Sequence, residues 1–118
     1  MATIVPTQTF PINGNNKFML VTWANMQNGD VGDPFVLSQY ADRSVQIVGT
    51  FGTGGSVVLE GSNTGGIFTT LTDNIGNTLS FVTPSFRQVM EIAVAIQPRV
   101  TAGDVNTSIT VAMLVRQN

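Results

Sequence analysis

The segment GSVVLEGSNTGGIFTTLTDNIGNTLSF, which runs from Gly55 to Phe81, decides the fold class. It contains three β-rich runs separated by two glycine turns, and glycine and asparagine adopt the positive φ that tight hairpin turns need. In the first run Val57 and Leu59 share one face while Glu60 lies on the other, which is the period of a strand. The segment therefore predicts consecutive antiparallel strands.

The same alternation extends through most of the chain. In TSITVAMLV, from Thr107 to Val115, both faces are fairly apolar, which predicts a strand that is central or covered on both sides. Turn signals recur every 8–12 residues or so, a spacing typical of a sandwich or barrel. The predicted strands are Ile4–Phe10, Lys17–Trp23, Phe35–Ser38, Val45–Phe51, Ser56–Gly61, Phe68–Leu71, Ser80–Val82, Gln88–Ala93, Ile96–Thr101 and Thr107–Arg116.

Two stretches are harder to assign. SFRQVMEIAVAI, from Ser85, fits a helix in part, but the alternation through Ile92 and Val94 favours a strand. The span 25–34 is rich in turn residues and is predicted to be the most irregular part. We predict one domain over residues 1–118, an all-β, jelly-roll-like antiparallel sandwich of about eight strands. Residues 1–12, with two prolines, are predicted to form either an extended arm or an edge strand of that sandwich.

Composition narrows the function classes. Only 10% of the 118 residues are charged, against about 25% in an average soluble domain. A surface with few charges is poorly protected against association, so we expect a protein partner to cover part of it. The five basic residues are scattered, and nucleic-acid binding needs several along a phosphate backbone, so we expect no direct nucleic-acid contact.

The termini and apolar runs give no sign of export or membrane insertion. The first ten residues lack a charged and then apolar signal segment, and no apolar run approaches the roughly 20 residues of a membrane helix. We therefore expect a chain made in the cytoplasm, with no membrane partner.

The sequence contains few side chains that could form a catalytic site. The chain has no histidine and no cysteine, which excludes a serine or cysteine triad and the usual zinc sites. Glu60 and Glu91 alternate with buried neighbours and are predicted to face solvent or a partner. We expect no enzymatic activity and no cofactor. The aspartates are predicted to lie in turns, where their side chains bond to nearby backbone groups, and this is the favoured interpretation. The alternative is a calcium site, because the loops with Asp30, Asp33, Asp73 and Asn74 offer oxygen ligands.

Aromatic residues suggest one further possibility. Trp23 and Tyr40 flank the irregular span, and exposed rings beside polar side chains are what a sugar-binding module needs. Trp23 also continues the alternation of Met19 and Val21, which favours the core. Sugar binding through Trp23 and Tyr40 therefore stays an alternative.

A family resemblance covers about residues 44 to 116. The segments LEGSN, PRVTAGD and SITV carry the resemblance. In them the chain resembles the small β-sandwich head decoration, or cement, proteins of tailed bacteriophages. The resemblance implies a protein of the virion surface that binds the major capsid protein, associates with itself as a homodimer or homotrimer, and stabilises the shell. Another virion component, such as a head fibre, tail or adaptor protein, is the first alternative, and a carbohydrate-binding module is the second.

The N-terminal segment is the predicted contact with a neighbour. Extended arms can add a strand to an exposed sheet edge, and Ile4, Val5 and Phe10 would be the apolar anchors. The alternative for these three residues is an ordinary edge strand of the chain's own sandwich.

Overall fold

A computed structural model describes residues 2–36 and 40–117, and within these residues all regular structure is β-strand. The prediction of an all-β sandwich is confirmed. The strands are β1 (Thr3–Ile4), β2 (Thr7–Thr9), β3 (Phe18–Met26), β4 (Val31–Gly32), β5 (Phe35–Val36), β6 (Tyr40–Thr50), β7 (Ser56–Ser62), β8 (Thr69–Thr70), β9 (Ser80–Phe81), β10 (Ser85–Gln88), β11 (Ala95–Ala102) and β12 (Ser108–Gln117).

The strands form two packed sheets in a jelly-roll arrangement. The five-stranded sheet has the order β10-β6-β12-β3-β2, and the other has the order β1-β4-β11-β7-β8, with β5 also on β11 and β9 also on β7. From β3 onward the chain alternates between the sheets: β3, β6, β10 and β12 lie in one, and the strands between them lie in the other. Spatial neighbours are thus distant in sequence, as in double Greek-key jelly rolls. All pairs are antiparallel except β1 with β4.

The core lies between the two sheets and follows the predicted alternation. Strand β12 is central, between β3 and β6, and its residues Ile109, Val111, Met113 and Val115 are fully buried while the residues between them are half-buried. Val45 and Ile47 of β6 meet them from the neighbouring strand. The described residues contain no helix, and therefore none long and apolar enough to cross a membrane.

Strand register defines two ends of the sandwich. Ser62, the last residue of β7, pairs with Ala95, the first of β11, so loops 63–68 and 89–94 lie at one end. We call this the apolar end, for reasons given below. Loops 27–30, 51–55 and 103–107 lie at the opposite end, which we call the polar end, because β12 starts there beside the end of β6.

Three sequence-based predictions are wrong in detail. The predicted strand Gln88–Ala93 is a strand only to Gln88, because the chain then crosses from one sheet to the other and its amides bond to Arg43 and Thr72 instead of a ladder. The span 25–34 is less irregular than predicted, since β3 continues to Met26 and β4 follows it. Asp42 lies within β6 rather than in a turn.

Candidate protein-binding surface

The N-terminal residues pair with the chain's own sheets. Strand β1 lies beside β4 and β2 lies beside β3, so this segment joins the edges of both sheets. Ile4 is half-buried and packs against the core, whereas Val5 and Phe10 are exposed. The edge-strand alternative thus describes residues 3–9 in the isolated chain, and a contact of Val5 and Phe10 with a neighbour stays a prediction.

Trp23, the first residue of the sugar-binding alternative, is not part of an exposed aromatic platform. Trp23 is fully buried, and its indole Nε1 donates a hydrogen bond to the backbone oxygen of Asp33 at 2.9 Å. No face of this ring is available to stack on a sugar. The backbone of Tyr40 begins β6, but its side chain lies outside the described part of the structure.

Glu60 faces neither solvent nor an open groove, contrary to the prediction from alternation. It is buried beneath its cross-strand neighbours: Gln97 donates to one carboxylate oxygen at 2.7 Å, and Arg99 donates to both at 3.2 Å. The outward face of a strand is solvated only where its neighbours leave it open. Here the long side chains of β11 cover it, and Glu60 is part of a closed polar network.

Two of the aspartates considered for calcium, Asp30 and Asp73, accept hydrogen bonds from nearby backbone amides. Asp30 accepts hydrogen bonds from the backbone amides of Ala2 and Gln27, each at 2.9 Å. Asp73 accepts from the amides of Ile75 and Asn77 and forms an ion pair with Arg87 at 2.9 Å. Burial acts to raise the pKa of Asp73, but these bonds outweigh it and hold the pKa below the usual value. Among the described residues, no three acidic, histidine or cysteine side chains converge on a point.

The apolar end presents large hydrophobic side chains to solvent. Ile67 and Ile92 are 77% and 82% exposed, and both line one shallow groove between their loops. Val94 lies at the base of the second loop and is 51% exposed. Val36, the last residue of β5, pairs with Ala95 beside it and is 58% exposed. Side chains of this size are normally buried, so their clustering at one end makes it a candidate interaction surface.

Hydrogen bonds within the first loop hold Ile67 in place. The Ser62 hydroxyl accepts from the amides of Thr64 and Gly65, at 3.1 and 2.9 Å. The Thr64 hydroxyl in turn accepts from the amides of Gly66 and Ile67, each at 3.3 Å. Serine and threonine make such local bonds in turns. The loop therefore presents its isoleucine on a defined backbone.

Two side chains fix the second loop. The side-chain oxygen of Asn63 accepts a hydrogen bond from the amide of Val94 at 3.1 Å, which ties the two loops together. Glu91 accepts from the amide of Thr72 at 2.7 Å and from the Thr72 hydroxyl. Burial acts to raise the pKa of Glu91, but the bonds from Thr72 and the charge of Arg43 lower it below the usual value.

Charge is nearly absent from the two loops of the apolar end. Across residues 62–71 and 89–98 the sequence contains one charged residue, Glu91, and its carboxylate is turned back onto Thr72. A surface with this composition can be covered by a partner without stripping water from a charged group, which is the costly step in burying polar surfaces.

Sequence reasoning did not identify this surface. The alternation places Ile92 in the predicted strand Gln88–Ala93 and continues through Val94, and Ile67 follows a glycine turn without any further signal. A large hydrophobic residue directly after Gly65-Gly66 is the one local hint, because a loop tip is the least buried place in a sandwich. Only the register of β7 and β11 places the two loops at the same end.

Comparison with known proteins identifies a fold without a family. No protein-family model and no curated protein matches the chain. Among solved structures, the SPBc2 prophage-derived protein YomS is similar with a TM-score of 0.62 and 16% identity, over 91% of this chain and 96% of that one. Peruvianin-I, a cysteine peptidase from Thevetia peruviana latex, is similar with a TM-score of 0.52 and 12% identity, over 96% of this chain and 61% of that one. At these identities the likeness is one of fold.

Proposed function

We propose that this chain is a structural component of a phage particle, and specifically a head decoration protein. In this role it binds the outer surface of the shell through the apolar end and stabilises contacts between neighbouring major capsid proteins. Two facts support the proposal. The fold is shared over almost the whole length with a prophage-derived protein, and the surface combines few charges with clustered hydrophobic loops.

The apolar end is the observation that carries the proposal. Burying one isoleucine that is exposed in the free protein contributes roughly 1.5–3 kcal/mol. Ile67 and Ile92 together can therefore supply most of a modest affinity for a single site. A shell repeats that site many times, and an oligomer that contacts two copies at once gains avidity without new contacts. A decoration protein needs this combination of weak single contacts and repeated ones.

The rigidity of the loops favours binding for a second reason. Ordering a flexible loop on binding costs free energy, and a loop already held in its bound form avoids that cost. The hydroxyls of Ser62 and Thr64 and the side-chain oxygen of Asn63 accept the hydrogen bonds that provide this order in the free chain. The exposed isoleucines are thus presented in advance of any partner.

The proposal assigns no catalytic residue. Both glutamates of the chain are engaged by neighbours, Glu60 by Gln97 and Arg99 and Glu91 by Thr72. The stabilising role requires neither a nucleophile nor a cofactor, and we expect no turnover.

The test is rebinding to shells that lack the protein. Heads assembled from the major capsid protein encoded with this chain are sedimented with wild-type protein and with the double variant Ile67→Ser/Ile92→Ser. We expect the double variant to bind at least about tenfold more weakly, because two buried side chains lose most of their transfer free energy. Val105→Ser is the matched control, since Val105 is 98% exposed but lies at the polar end.

Three outcomes would contradict the proposal. Equal binding of the double variant and wild type would remove the apolar end from the contact. Binding of wild-type protein to purified tails or fibres and not to heads would assign the chain to another virion component. Affinity for a glycan array without affinity for heads would favour the carbohydrate-binding alternative.

A further inference from the structure

The outer face of the five-stranded sheet is a second candidate surface, at right angles to the apolar end. Register places the outward residues in rows across the sheet, and no described part of the chain covers them. The two longest rows are Phe86–Gln46–Ala112–Thr22–Thr7 and Gln88–Ser44–Leu114–Leu20–Thr9.

The composition of this face is that of a protein interface rather than a solvated sheet. Leu114, Leu20 and Ala112 lie at its centre and are half-buried, and Phe86 stands at one edge with 66% of its surface exposed. Uncharged polar side chains of threonine, serine and glutamine fill the rest of the two rows. An open groove of about 430 Å³ crosses the face, lined by Phe86, Leu114 and Phe18 among others.

The face carries one positive and one negative side chain, and the two lie next to each other. Its outward positions on the described strands carry one acid, Asp42, and one base, Arg116, which lie on neighbouring strands and form an ion pair. Each of these side chains is about half exposed. Under a two-fold axis every contact occurs twice with the roles exchanged, so Asp42 of each copy can meet Arg116 of the other. The face is therefore complementary to itself in charge.

The size of the face fits a dimer. Strands of 3, 9, 10, 11 and 4 residues, with about 3.4 Å per residue and about 4.8 Å between strands, outline roughly 600 Å². A stable dimer of standard size buries about 800 Å² on each partner. Without the loops, the face therefore reaches the lower end of the standard range, which is about 600 Å² on each partner.

We propose that the outer face of the five-stranded sheet is a two-fold self-association surface whose occupant is a second copy of this chain. The groove receives the Phe86 ring of the second copy, and the Asp42–Arg116 pairs lie across the interface. Because the loops are at the end of the sandwich, both apolar ends of the dimer stay exposed. The inference does not depend on the proposed function.

The first experiment measures mass in solution by sedimentation velocity. We expect wild-type protein at about 100 μM to have twice the monomer mass, since interfaces of this size have micromolar or lower dissociation constants. Leu114→Glu is expected to be monomeric, because it places a charge at the centre of the face. Val105→Glu, which adds the same charge at the polar end, is expected to remain dimeric. A monomeric wild type, or an oligomer that survives Leu114→Glu, would overturn the proposal.

A mixing experiment separates a lost interface from a lost fold. Asp42→Arg and Arg116→Asp each place like charges opposite one another in a homodimer, and each is expected to be monomeric alone. When the two are mixed, the charges become complementary and a heterodimer should form. Misfolding would not be repaired by mixing, so a mixture that stays monomeric while wild type is dimeric would refute the charge pairing and with it the two-fold arrangement.

The outcomes are independent of head binding. Ile67→Ser/Ile92→Ser is expected to remain dimeric while losing affinity for heads. If the protein is a dimer through this face but never binds heads, the proposed function fails and the present inference stands.

Discussion

Both ends of this sandwich consist of loops that hydrogen bonds hold in place, but the two ends differ in which side chains they expose. At the polar end, polar side chains point back into the loops and satisfy backbone groups, and among the described residues of loops 27–30, 51–55 and 103–107 the exposed large hydrophobic side chain is Val105. At the apolar end the loops are also fixed by hydrogen bonds, but their large side chains, Ile67 and Ile92, point away from the protein. The difference separates hydrogen bonds that hold loops together from side chains that the fold leaves exposed, and only the exposed side chains are available to the partner that we propose.

Asp104 and Thr107 organise the polar end. The Asp104 carboxylate accepts from the amides of Thr53, at 2.8 Å, and Asn106, at 2.9 Å, and so joins loops 51–55 and 103–107. The buried Thr107 hydroxyl donates to the backbone oxygen of Phe51 at 2.8 Å and accepts from the amide of Asp104 at 2.9 Å. Backbone amides and carbonyl oxygens at the polar end are thus hydrogen-bonded to side chains of the same loops.

The largest stability effect is expected at Thr107. Thr107→Val keeps the shape of the side chain but leaves the Phe51 oxygen and the Asp104 amide without this partner. Leaving buried polar groups unsatisfied costs roughly 1–3 kcal/mol in the free energy of unfolding. Urea denaturation followed by tryptophan fluorescence measures it. Thr83→Val, at an exposed position, is the control and should be near neutral. Equal stability of Thr107→Val and wild type would show that the polar end is not organised as described.

An intermediate effect is expected on acidification. Hydrogen bonds from the amides of Thr53 and Asn106 hold the pKa of Asp104 below its usual value of 3.8, although burial acts in the opposite direction. An acid with a lowered pKa stabilises the fold above its unfolded pKa, and this contribution is lost as the pH falls through the folded value.

The measurement compares wild type with Asp104→Asn from neutral pH to below pH 3.8. Wild type should be the more stable at neutral pH, and the difference should shrink as the pH falls through the lowered pKa. A difference that stays constant with pH would mean that the Asp104 charge is not stabilised by these bonds. Asp73 and Glu91 also have lowered pKa values, so acid should weaken both variants in absolute terms.

The sequence predicted which strand residues face the core better than it predicted the loops at the two ends of the sandwich. Strands β6 and β12 follow an in-out period that core packing enforces, so their faces could be assigned without a structure. Residues 89–93 keep the same period, with Val89 and Ala93 buried, but their amides bond to other partners as the chain changes sheet. Periodicity reports which side chains enter the core and does not report which backbone is paired.

The candidate surface could not be predicted for a related reason. Glu60 was expected to be exposed because alternation specifies a face, but cover by Arg99 depends on cross-strand register between segments almost 40 residues apart. Ile67 and Ile92 come together through that same register. Exposure at a loop tip depends on which loops share an end, and one sequence contains no direct signal of that.

The smallest stability effect is expected at the apolar end. Ile67→Ser/Ile92→Ser removes two large side chains that are mostly exposed, so the free energy of unfolding should change by no more than about 0.5 kcal/mol per site. The same urea denaturation measures it, on the preparation used for head binding. A loss above about 2 kcal/mol would mean that these isoleucines pack on the chain's own core. Near-neutral stability together with weakened binding would show that the apolar end is maintained for a partner, because folding does not require it.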